Sequence, residues 1–239
     1  MPTRNRGKEG PDDLLFGTIK AQEKIKEAVT DVSYLLSRGF SEKSSVQLVG
    51  NRYKLNARQQ KAVQGMSASA AQVTQRKSTN VTIDQLKDQT VIIDGFNILI
   101  ILESFLSGGY VFKGVDDCYR DVSSVHGTYK RVQQTQEVLI TVGDFLQEAQ
   151  VKSVIWIFDQ PVSNSGRMKT LLGELSRKRT YPWHITLDYN PDKVLAESDH
   201  IAASSDAWIL DRAQRWFNLS GTIIETLHTK DANTILLPY

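Results

Sequence analysis

The feature that most constrains this chain is a rhythm that begins at Thr90. Short apolar runs at 90–93, 154–158, 184–187, 201–204 and 222–227 alternate with stretches of helical period at 98–105, 129–150, 168–179 and 207–217. Strands separated by helices share a sheet most readily by parallel crossovers, so the pattern predicts an α/β domain over 88–239 with a mainly parallel sheet. The preceding residues read differently. Residues 1–12 mix Arg, Lys, Gly and Pro without period and are expected to fray. Over 13–38 apolar residues recur at helical spacing up to Gly39, Ser41 caps a short helix through Val49 that Gly50 breaks, and Asn56 caps another. Residues 13–66 are thus predicted to form a small all-helical domain, and 67–87, opening with SASAAQVTQRKSTN, a linker.

Charge divides at the same place. Through Thr90 the chain carries 15 Lys and Arg against 9 Asp and Glu, and beyond it 14 against 18. A basic first part suits a polyanion partner, and an acidic second part can gather carboxylates at a site. The single cysteine, Cys118, excludes an intrachain disulfide framework and a cysteine-rich zinc site, which favours a reducing, cytoplasmic compartment. No apolar run is long enough to span a membrane, and MPTRNRGKEGPDD lacks the apolar core of a signal peptide.

Sites in parallel sheets form at the carboxyl ends of strands, where loops and helix N-termini converge. Three predicted strands run into an aspartate: Asp94 in VIIDGFN, Asp159 in VIWIFDQP and Asp206 in IAASSD. Carboxylates brought together at one edge repel and lose hydration unless a cation neutralises them, and an all-oxygen set suits Mg2+ or Mn2+. Paired ions of this kind catalyse phosphodiester hydrolysis. Each aspartate also has a plain structural reading: Asp94 as a turn residue, Asp159 as a loop cap, Asp206 as the N-cap of the next helix. Asn97 is placed to orient Asp94 or to bind a phosphate. Asp211, about five residues into the predicted helix, reads as solvated.

Substrate contacts have three candidates. The turn Ser163-Asn164-Ser165-Gly166-Arg167 precedes a helix, so its N–H groups, Ser165 and Arg167 could hold a phosphate. The stretch from Arg177 through Arg179 to His184 interleaves cations with Tyr181 and Trp183, a combination that pairs phosphates and stacks unpaired bases. In the basic part, 56–64 sits where the recognition helix of a helix-turn-helix would lie, with Arg58, Gln59 and Lys61 facing nucleic acid. Each reads equally as a loop, a solvated helix end or a plain helix pair. His126 and Cys118 have no partner motif and read as structural. A nucleotide-binding α/β protein using the SNSG turn is a weaker reading, because no G-x-x-x-x-G-K-[ST] loop is present.

VIIDGFN resembles the first strand and loop of PIN-like nucleases, their NYN branch in particular, and the later FD and SSD are similar to the acidic pattern of that superfamily. The resemblance covers about 88–227 and implies a three-layer α/β fold and a metal-dependent ribonuclease acting on nucleic acid, single-stranded RNA foremost, with Asp94 matched by motif and Asp159 and Asp206 by order. The acidic residue these nucleases place on a helix between the first two acidic strands has candidates in Asp117 and Asp121, with Asp121 chosen. The whole chain, with LLSRGFSEKSSVQLVGNRYKLNARQQKAV ahead of VIIDGFN, also resembles the uncharacterised archaeal family called domain of unknown function 434. The rival function is a non-catalytic nucleic-acid-binding or regulatory protein that keeps the fold, and either reading allows a homodimer.

Overall fold

The structure, a computed structural model, describes residues 6, 8–123, 129–228 and 236–237. The expected first helix is two. α1 (Asp12–Phe16) stops at Gly17, and Thr18, extended at φ −88°, starts α2 (Ile19–Ser37) by accepting the Ala21 N–H. α3 (Glu42–Arg52) opens at Ser41 as expected but runs through Gly50, whose missing Cβ makes room for the Gln60 side chain. α4 (Ala57–Met66) begins with a reciprocal capping box between Asn56 and Gln59. The segment expected as a linker contains α5 (Ala70–Thr79), capped in the same way by Ser69 and Gln72, then a 3-10 turn at Ile83–Leu86.

β1 (Thr90–Asp94) leads into α6 (Gly95–Leu106), which is apolar all round and buried. The sequence reading missed the next two elements, β2 (Val111–Lys113) and β3 (Tyr119–Asp121), an antiparallel pair too short for periodicity to show. α7 (Thr135–Glu148), β4 (Ser153–Asp159), α8 (Ser165–Arg179) and β5 (Trp183–Asp188) follow near their expected places. α9 (Pro191–Ala196), unanticipated, is capped by Asn190, and β6 (Ile201–Ala203) follows. α10 (Ala207–Leu210) is one turn, where a helix to Phe217 was expected. Trp216 instead bridges to Asn80 and Ala202, and its indole N–H donates to the Arg76 carbonyl. α11 (Leu219–His228) replaces the expected last strand, because Leu219, Ile223, Ile224 and Leu227 recur at helical spacing and pack inward. β7 (Leu236–Leu237) pairs parallel with β2.

The main sheet has order β5-β4-β1-β6 and is parallel throughout. Val91, Ile93, Val154, Trp156 and Phe158 pack on α6, α7, α8 and α11, while Ile92, Ile157 and Ala202 pack on α9, α10 and Trp216. These are the expected three layers. The helical part does not stand apart from them. Phe16, Ile25, Val29, Val32, Val63 and Met66 share one core with Tyr110, Phe112 and Val122 around the β2-β3 pair. α5 is fastened by Arg76, which is 1% exposed and donates to Asp116 at 2.6 Å and to Asp211 at 2.7 Å. Asp211 therefore anchors a buried arginine. Among the described residues no helix is long and apolar enough to cross a membrane.

Candidate catalytic edge and cleft

Because β1, β4 and β6 are parallel, Asp94, Asp159 and Asp206 lie at one edge of the sheet, with Asp206 three residues beyond β6. β1 and β6 are neighbours whose following helices, α6 and α10, go to opposite faces. This is a topological switch point, where diverging loops leave a crevice. Ser204 ties the two loops together: its hydroxyl donates to Asp94 Oδ2 at 2.8 Å and accepts the Asp206 N–H at 3.0 Å. Asn97 adds a second tie, its Oδ1 accepting the Ser205 N–H at 2.8 Å. Asp94 also accepts the Asn97 N–H at 3.4 Å as the N-cap of α6, and Asp206 accepts from Trp208 and Ile209 as the N-cap of α10. The capping and edge readings of these residues thus coexist.

Asp94 has only acids as charged neighbours, while Asp206 also feels the Arg120 guanidinium. Burial pushes the Asp94 carboxyl up to about 7, and the charges of Asp192 and Asp206 push the same way against the Ser204 hydrogen bond. Burial raises Asp192, as do Asp206 and Asp159, and burial raises Asp159. Asp192, in the first turn of α9, is thus a fourth member that the sequence reading passed over. Its signal was the capped start Asn190-Pro191-Asp192 straight after a strand. Among the described residues none of the four forms an ion pair with Lys, Arg or His, and no group of three or more His, Cys, Asp or Glu could hold a metal ion.

Asp121 is elsewhere. It ends β3 in the second sheet, accepts the Ser123 N–H, and has its carboxyl raised by burial. It does line, with Asp206, Asn97 and Ser205, a cleft of about 450 Å³ whose opposite wall is the helical part, notably Lys61 and Gln64. The Lys61 ammonium donates to the carbonyls of Val122 and Ser123, and burial lowers its pKa. Arg120 braces the cleft by donating to Asp116 at 2.7 and 2.9 Å and to the Ser205 carbonyl at 2.8 Å.

The remaining candidates separate. Arg58 is engaged by Asp12 at 2.7 and 2.9 Å and by Glu9 at 3.0 Å, and Gln59 is buried. Arg58 and Gln59 thus lie on the packed side of α4, which removes these two as nucleic-acid contacts, while Lys61 and Gln64 remain on its cleft side. Ser165 is buried and donates to the Gln160 carbonyl, and Asn164, at φ 75°, donates to the Tyr129 carbonyl. Arg167 lines a separate hollow with Tyr129 and Lys130. α8 returns antiparallel to the strands, so Arg177 and Arg179 end at the opposite edge from the aspartates, with Arg179 3.9 Å from Asp144. Tyr181 and Trp183 are buried and stacked on each other at 4.7 Å, which removes them as platforms for bases. Burial raises the Cys118 thiol, leaving it inert, and His126 lies outside the described residues.

Residues 24–79 match the family described as Protein of unknown function (DUF434). An uncharacterized protein of Methanocaldococcus jannaschii is 27% identical over 186 residues, which is 78% of this chain and 88% of that protein. No solved structure matches. Residues 83–222, more than half of the chain and the part that carries all four edge carboxylates, match a second family, so the chain belongs to the family described as Domain of unknown function (DUF5616).

Proposed function

We propose that the protein is a metal-dependent ribonuclease, PIN-like and of NYN type, that hydrolyses phosphodiester bonds in single-stranded RNA at the carboxyl edge of its parallel sheet. The observation that carries this reading is Asp94: a buried carboxylate at a switch point, with only acids as its charged neighbours. Such a group is destabilised in the ionised form unless a cation arrives. Among the described residues no three such side chains converge, so the mode that would suit this edge is the one Mg2+ and Mn2+ often use, one or two carboxylates with retained waters and substrate phosphate oxygens. Asp94 and Asp206, linked through Ser204, would hold the ion, and Asp192 and Asp159 would add field. When bound, the ion supplies Lewis-acid activation and neutralises charge at phosphorus. Asn97 keeps the Ser204–Asp206 loop in register with α6, and Lys61 faces the same cleft from the helical part, where an ammonium suits a phosphate.

That no three ligands converge among the described residues also keeps the rival reading, a nucleic-acid-binding protein without catalysis. Calorimetric titration of Mn2+ into wild type, Asp94→Asn and Asp192→Asn separates them. The nuclease reading expects binding by the wild type that Asp94→Asn abolishes and Asp192→Asn weakens; no heat in wild type, with or without a short RNA, leaves the rival.

A further inference from the structure

From Thr90 onward, the large apolar side chains left exposed among the described residues are Tyr189, Val194 and Trp208. Each lies within three residues of an edge carboxylate, Asp192 or Asp206. The concentration is selective: Trp156, Trp183 and Trp216 are buried, while Trp208 is 43% exposed and Tyr189 75%. Neither ring is loose. The Arg212 guanidinium lies 4.2 Å from the Trp208 ring centroid and donates to the Trp208 carbonyl, and the Tyr189 hydroxyl accepts from the side chain of Gln160, the residue after Asp159.

Their positions follow the strand order. Tyr189 comes directly after β5, whose Asp188 is in register with Asp159, and Trp208 comes after β6. The edge therefore reads, from one outer strand to the other, Tyr189, Asp159, Asp94, Asp206, Trp208. Three strand spacings, about 14 Å, separate β5 from β6, the strands that these two residues follow. We propose that Tyr189 and Trp208 are base-stacking platforms at the two ends of the acidic edge, holding unpaired bases of a single-stranded nucleic acid so that its backbone crosses the carboxylates between them. An aromatic face accepts any base, and a duplex, whose bases are already stacked and paired, has none to offer. The assignment rests on the nuclease reading for what happens between the rings, but its own evidence is their exposure and order.

The test uses the full chain with Ca2+ present and a short mixed-sequence single-stranded RNA as probe, read by intrinsic fluorescence, to which Trp208 is the exposed tryptophan. The RNA should quench the emission, and the same sequence as a duplex should not. Tyr189→Leu should lower affinity about tenfold and Tyr189→Phe, which keeps the ring, should not. Trp208→Leu should remove the quench and weaken binding, measured by anisotropy of labelled RNA, by a similar factor. Leu variants that bind like wild type while keeping its circular dichroism, or equal quenching by the duplex, would overturn the proposal. Cleavage in Mn2+ is scored separately: cleavage without quenching rejects the platforms and keeps the nuclease, and quenching without cleavage does the reverse.

Discussion

Replacing Asp94 by Asn should make the metal-free protein more stable, although it removes the residue on which the site depends. Asn keeps the volume, its one carbonyl oxygen can take the place of Oδ2 in accepting from the Ser204 hydroxyl, and its amide replaces Oδ1, giving up only the long 3.4 Å contact from the Asn97 N–H while offering donors toward an acidic neighbourhood. What disappears is a buried carboxyl held at about 7 against an ordinary value of 3.8. At about 1.4 kcal/mol per pKa unit, that displacement is worth about 4 kcal/mol once the group is ionised in both states. Between 3.8 and about 7 the native state holds a proton that the unfolded chain has lost. Wild-type stability therefore falls as pH rises through that window and stays low above it. For a chain of this size, about 4 kcal/mol is about 8–16 °C in Tm. Melting followed by circular dichroism in a chelator should show Asp94→Asn melting higher by about that much near pH 8, with the advantage gone near pH 4. Adding Mn2+ at the higher pH should raise the wild type and leave the variant in place. Equal Tm values at the higher pH, or a difference that does not change with pH, would refute the argument.

Three further outcomes follow from the packing. Arg76→Met leaves the buried Asp116 to Arg120 alone and leaves Asp211 only the Gln72 amide as its partner on α5, so Tm should drop by about 6–12 °C, from a loss of about 3 kcal/mol, in a thermal melt. Gly95→Ala would place a Cβ 2.3 Å from the Phe158 ring directly beside Asp94, and denaturant titration should show a loss of about 1–3 kcal/mol. Arg58→Ala and Lys61→Ala should separate: the first strips the buried Asp12 of its guanidinium and lowers Tm while RNA affinity holds, and the second weakens RNA binding and flattens its salt dependence by about one in log-log slope.

The parallel α/β domain was legible because β1, β4 and β5 are apolar runs bounded by helical stretches, and each ends at an aspartate. β2 and β3 were not, since three residues each carry no period and pairing is decided by Phe112 and Tyr119 finding separate cores. α5 was missed although Ser69 and Gln72 spell a capping box, because small and polar residues over 67–80 masked a helix that is held by a buried arginine and by Gln72 on Asp211 rather than by an apolar stripe. At the site, the strand-end rule found Asp94, Asp159 and Asp206. It passed over Asp192, which reaches the edge through a short helix; Asp121, chosen on the family resemblance, ends β3 in the second sheet and lines the cleft beside Asp206. The basic patch of the helical part was legible as composition but not as use. Arg58 is spent inside the fold, whereas Lys61 faces the cleft, a distinction only packing makes.

The most direct test of the central claim is Mn2+-dependent cleavage of a labelled, unstructured RNA by wild type and by Asp94→Asn, both checked for fold. Wild-type cleavage that the variant loses by two powers of ten or more, about 2.7 kcal/mol of transition-state stabilisation, is the expected result. Wild type that cleaves no RNA with any divalent ion, or a variant that cleaves at the wild-type rate, would contradict it.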